Sequence, residues 1–99
     1  MASSLHKLSV VEAGNASLGQ AGAKFIKDNE EHTGTFVAIT MLEDTIFATL
    51  TPDDTANGYG VGSYNGNNMS GETIPQGVTI YGRWTTVDLA SGLVIAYIG

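Results

Sequence analysis

T-I-P-Q-G-V-T-I-Y-G-R-W-T-T-V-D-L-A-S-G-L-V-I-A-Y-I-G, residues 73–99, carries the strongest structural signal in the chain. It is rich in the β-branched and aromatic residues that suit a pleated, half-buried surface, and turn formers cut it at Pro75-Gln76-Gly77 and Ala90-Ser91-Gly92. The pattern predicts two strands joined by a short hairpin. In the first, Val78, Ile80, Gly82, Trp84 and Thr86 share one face, and Thr79, Tyr81, Arg83, Thr85 and Val87 share the other. Trp84 and its row are the better core candidates. In the second strand Leu93, Ile95 and Tyr97 alternate with Val94, Ala96 and Ile98, so both faces are apolar and burial on both sides is expected.

Working back from there, Thr35 to Met41 and Thr45 to Thr51 read as two more strands around Leu42-Glu43-Asp44. Phe36, Ala38 and Thr40 alternate with Val37, Ile39 and Met41, again with apolar side chains on both faces, as in a closed barrel or a sandwich flanked by a partner. In the second of these strands Ile46, Ala48 and Leu50 form the apolar set, with Phe47 opposite them. Between Pro52 and Gly71 the chain is rich in glycine. Asn-Gly pairs at 57–58 and 65–66 flank Tyr59 to Tyr64, a segment that reads as a short hairpin or a long surface loop, with Tyr59 and Tyr64 as exposed contact residues.

The polar stretch Lys27 to Gly34 ends in a turn signal and divides the chain into an N-terminal arm, residues 1–32, and a β-domain, residues 33–99. The arm mixes small residues with Leu5, Leu8, Val10, Val11, Leu18, Phe25 and Ile26. Its glycines cost a helix roughly 1 kcal/mol each, so an extended arm is expected, able to lie along a neighbouring subunit through Leu5, Leu8 and Phe25. The predicted fold class is all-β, a small antiparallel barrel or sandwich of about six to eight short strands with an extended N-terminal arm.

Charge and composition narrow the function. The net charge is −6, yet Lys7, Lys24 and Lys27 all precede Asp28, and from Asp28 onward Arg83 stands alone against nine carboxylates. Such a body repels phosphate backbones, so no nucleic-acid partner is expected. No run approaches the roughly 20 apolar residues of a membrane helix, and the N-terminus lacks a secretory pattern, so no membrane partner and no export are expected. At 99 residues and without cysteine the core is thin, which points to oligomerisation as the missing support.

Nothing in the chain assembles into chemistry. Gly58-Tyr59-Gly60-Val61-Gly62 lacks the spacing of a dinucleotide fingerprint. Asp53, Thr55, Asn57 and Gly58 imitate the start of a calcium loop, but Tyr64 stands where the bidentate glutamate belongs, and an Asx-type turn is the better reading. Glu30, Glu31 and His32 are sequence neighbours that cannot converge on one ion, and Glu43-Asp44 is likewise a turn. Ser91-Gly92 lacks the flanking glycines of a nucleophile elbow. The expectation is no enzyme activity, no catalytic residue, no metal and no cofactor.

One resemblance adds to this. The pattern F-x-A-I-x-x-L-x-D-T-x-F-A-x-L-T from Phe36 to Thr51, a Gly-rich insert, and T-I-P-x-G-x-T-I-Y-G-R-W-x-x-x-x-L-x-S-G-x-V-I-A-Y from Thr73 to Tyr97 is similar to a group of small virion structural proteins of tailed bacteriophages, over about two thirds of the chain. The resemblance implies a small β-domain used as a capsid decoration (cement) or spike-base component, made in the host cytoplasm and carried on the capsid surface of the virion, with the major capsid protein as partner. A homo-trimer at local three-fold positions is the expected assembly, with Phe36, Val94 and Ile98 as subunit or capsid contacts beside Leu5, Leu8 and Phe25. The alternatives are a spike-base or tail-fibre adaptor, or a host-surface glycan binder that uses Tyr59 and Tyr64.

Overall fold

The computed structural model describes residues 22–99. Six strands form one antiparallel sheet: β1 (Ala23–Ile26), β2 (His32–Met41), β3 (Thr45–Pro52), β4 (Thr73–Ile74), β5 (Thr79–Ser91) and β6 (Val94–Ile98). Their order across the sheet is β1-β6-β2-β5-β3-β4. The fold is therefore all-β, and no helix occurs among the described residues. Within the residues expected to form an arm, Ala23–Ile26 is itself a strand, paired with β6 from Ala23↔Tyr97 to Ile26↔Val94. Leu5 and Leu8 lie outside the described residues.

The order corrects the hairpin expected between the last two strands, because β2 lies between β5 and β6. The turn at Ser91-Gly92 redirects the chain without pairing its flanks. Gly92 has φ +111°, a conformation glycine adopts freely and other residues resist. Pro75-Gln76-Gly77 is a turn as expected, with Gly77 at φ +89° and the Val78 N–H donating to the Pro75 carbonyl, the pattern of a type II turn.

β5 is bent sharply, and hydrogen bonds at its two ends show it. Before the strand, the Gly77 N–H donates to the Met41 carbonyl at 2.8 Å, and after it the Leu93 carbonyl accepts the Leu42 N–H at 2.8 Å. A straight strand of its 13 residues would be about 40 Å long, yet both ends meet adjacent residues of one turn. β5 pairs with β2 from Thr79 to Val87 and with β3 from Trp84 to Ser91, the two ladders overlapping from Trp84 to Val87, where register shifts interrupt both. Bulges of this kind bend a strand and raise its twist. The sheet thereby wraps around its own core without closing into a barrel, β1 and β4 remaining at its ends.

Wrapped inside are Trp84, Phe36, Ile26, Ile39, Met41, Phe47, Leu50, Val87, Leu89, Val94 and Ala96. Trp84 is the core residue its alternation promised. Other parts of the predicted phase fail at the bulges. Trp84 and Val87 both point inward although three residues apart, so Thr86, expected beside Trp84, is only half-buried. In β3 a register shift between Phe47 and Thr49 brings Phe47 and Leu50 to the core together and leaves Ala48 exposed, the reverse of the expected assignment for Phe47 and Ala48. One extra residue flips every side chain beyond it, which residue types alone do not announce.

Candidate interaction surface

Across β1, β6, β2 and β5 the register defines a second, outward set of side chains. Ile39, Met41, Val94, Ala96 and Ile26 belong to the inner core, so alternation turns their neighbours out. One outward row is Phe25, Ile95, Thr40 and Thr79, joined through the pairs Phe25↔Ile95, Thr40↔Ile95 and Thr40↔Thr79. The other is Ala23, Tyr97, Ala38 and Tyr81, joined through Ala23↔Tyr97, Ala38↔Tyr97 and Ala38↔Tyr81. The two threonine hydroxyls share a 2.9 Å hydrogen bond, so the first row ends with its polar atoms satisfied.

Ala38 has 0% exposure but is no member of the inner cluster. Its outer side is covered by its cross-strand partners Tyr81 and Tyr97, which form a small cluster outside the main core. That cluster is incompletely covered: Phe25 is 58% exposed and Tyr81 42% exposed. None of these eight residues carries a charge. Of the nine carboxylates among the described residues, eight lie in the connections between strands, and Asp88 lies on β5 one residue past its last pair with β2, His32↔Val87. Among the described residues of the predicted contact set, Phe25 is the one found well exposed. Phe36 and Val94, expected at subunit or capsid contacts, are each 0% exposed and serve the inner core of their own chain, and Ile98 packs half-buried against that core. The sequence detected apolar side chains on both faces of β2 and β6 but did not reveal which face was the inner one.

The Gly-rich connection caps the core at the other side. It contains no strand; instead the Val61 N–H donates to the Leu50 carbonyl at 3.0 Å and the Met69 N–H to the Gly60 carbonyl at 3.1 Å. Tyr59 is only half-exposed. Its ring meets Trp84 edge-on at 5.4 Å between centroids, its hydroxyl donates to the Tyr81 carbonyl, and its own carbonyl accepts the Trp84 indole N–H at 2.8 Å. Tyr59 is therefore a structural residue, not the exposed loop tyrosine the glycines suggested. Tyr64 is half-buried over Gly62, where an added Cβ would lie 2.8 Å from its ring.

A shallow pocket of about 230 Å³ opens beside this cap, lined by Asp54, Asn57, Gly58, Tyr59, Gly82, Arg83 and Trp84. Its polar groups are occupied. Asp54 makes the Asx-type turn expected nearby, accepting from the Ala56 and Asn57 amides at 3.0 and 3.2 Å and from the Asn57 side chain at 2.8 Å, and these bonds hold its carboxyl below the usual range. Arg83 faces Asp53 at 3.4 Å. No group of three or more His, Cys, Asp or Glu side chains is placed to hold a metal among the described residues.

Burial raises the Tyr59 phenol above its ordinary value. The fold accepts the neutral phenol, whereas the unfolded chain ionises near pH 10, so this contribution is whole below about pH 10 and is lost as pH rises through the higher folded value. Tyr59→Phe is expected to flatten the alkaline loss of stability, followed by Trp84 fluorescence, while lowering stability near neutral pH by about 1 kcal/mol for the lost hydrogen bond. An unchanged alkaline slope would assign that loss to another tyrosine.

In comparisons with protein families, curated proteins and solved structures, nothing matches this chain.

Proposed function

We propose that this chain is a non-catalytic structural component of a tailed-phage particle, a decoration protein that sits on the outer capsid surface, engages the major capsid protein and stabilises the head as a homo-trimer. The observation that carries the reading is the uncharged, partly open face built by Phe25, Ile95, Tyr97 and Tyr81 on an otherwise acidic body. Exposed apolar surface of this kind marks contact with other protein, and the outer side of a sheet wrapped around its core offers no cleft in which reacting groups could converge. The motif resemblance from Phe36 to Tyr97 supplies the setting. The glycan-binding alternative loses support with Tyr59, whose hydroxyl is committed to the Tyr81 carbonyl.

Particles prepared with and without the protein test the proposal. A decoration role is expected to show as bound density on the head and a lower temperature of head rupture when the protein is missing. Intact heads of unchanged heat resistance, with impaired adsorption to the host, would assign the protein to a spike base or receptor contact instead.

A further inference from the structure

We infer that the outer face of β1, β6, β2 and β5 closes on a second copy of this chain. This inference rests on reading that face as adhesive and names its occupant. Charge decides among the candidates. Side chains beside a rotation axis meet their own copies, so a charge there would face a like charge. A face meant for a different partner has no such constraint and gains specificity from complementary charge. Here Phe25, Ile95, Tyr97, Tyr81, Thr40 and Thr79 are all uncharged although the chain carries −6 overall; the carboxylates lie mainly in the loops, and Arg83, two residues past Tyr81 on the same side of β5, stands at the margin of the face with Asp53 3.4 Å away. Two such acidic bodies approach most easily across this one face.

Size sets the strength. Four strands about 4.8 Å apart, each offering about four residues, span an area on the order of 250 Å². Stable interfaces bury about 800 Å² on each partner, so self-association through this face alone is reversible and rises with concentration. On a particle, where copies are held near one another, the same contact is favoured by high local concentration.

Sedimentation velocity on the full chain alone, from about 10 μM to about 1 mM, reads the contact directly and involves no capsid, so its failure is distinct from a failure of the decoration role. The average mass is expected to rise toward a whole-number multiple of the chain mass. Phe25→Asp, at an exposed site on an edge strand, is expected to move the midpoint at least about tenfold higher in concentration, and Tyr64→Ala, on the opposite cap, to leave it unchanged. Should Phe25→Asp fail to fold, nitration of the wild-type chain with tetranitromethane decides the matter, since Tyr81 is expected to react when dilute and to be protected when concentrated. A monomer throughout the range, an oligomer indifferent to Phe25→Asp, or equal Tyr81 reactivity at both concentrations would overturn the inference.

Discussion

Trp84→Ala is expected to lower stability by about 3–5 kcal/mol, a large share of the 5–15 kcal/mol that typically holds a domain together. Trp84 is the largest wholly buried side chain and stands where β5 bends, paired with Phe36 of β2 on one side and Pro52 of β3 on the other. Its ring fills the space above Gly82, where an added Cβ would come within 2.8 Å of it. Its indole N–H also satisfies the Tyr59 carbonyl, so alanine leaves both a cavity and a half-buried acceptor without its donor. Denaturant unfolding monitored by circular dichroism measures the loss. Trp84→Phe separates the two effects, because it restores much of the volume but not the N–H, and should recover a substantial part of the stability. A Trp84→Ala chain that unfolds at the wild-type midpoint would mean that the bend is held elsewhere.

Gly92→Ala should cost about 2–5 kcal/mol, far more than adding one methyl group to a surface turn. Two penalties combine. Alanine resists φ near +111°, a strain of about 1–3 kcal/mol, and its Cβ would come within 2.7 Å of the Thr45 Cα, with further overlap on the Thr45 hydroxyl. Thr45 cannot yield easily, being fully buried with its hydroxyl donating to the Glu43 carbonyl at 2.9 Å. Gly66→Ala is the matched comparison, with φ +91° and nothing within 4 Å of the added atom. It should show the strain alone, about 1 kcal/mol. Equal shifts in the unfolding midpoints of the two variants would remove the close approach to Thr45 from the account.

Much of the fold is legible in local sequence. Alternation and turn residues locate β2, β3, β5 and β6 to within a few positions, and Trp84 among Ile80 and Val78 identifies a core residue. What local pattern lacks is the partner of each strand. Ser91-Gly92 looks like a hairpin turn because a redirection of the chain has the same residue chemistry whether or not its flanks pair. Phe47 and Thr86 are placed on the wrong face because bulges shift the phase beyond them. The candidate surface was legible as an excess: β6 has more apolar residues than one core face can use, and Ile95 and Tyr97 are that excess. Choosing Val94 and Phe36 for outside contacts inverted the sheet, since only the register with Ile39 and Met41 distinguishes the two faces.

The strand order also bears on how the protein comes into being. β1 waits for β6, whose Tyr97 lies 74 positions after its partner Ala23, while β2 and β3 wait for β5. Among the described residues, the only ladder that can form before β5 exists is the two-residue match of β3 with β4. The larger ladders of this sheet therefore form only after β1 to β4 have all been synthesised, late in the sheet's own stretch of chain, with the slow rates of distant pairing. Once β5 is out, β2 and β3 can pair with it, but β1 and the other edge of β2 stay open until Val94 to Ile98 have emerged, and that edge is vulnerable to proteases and to its neighbours on the same messenger.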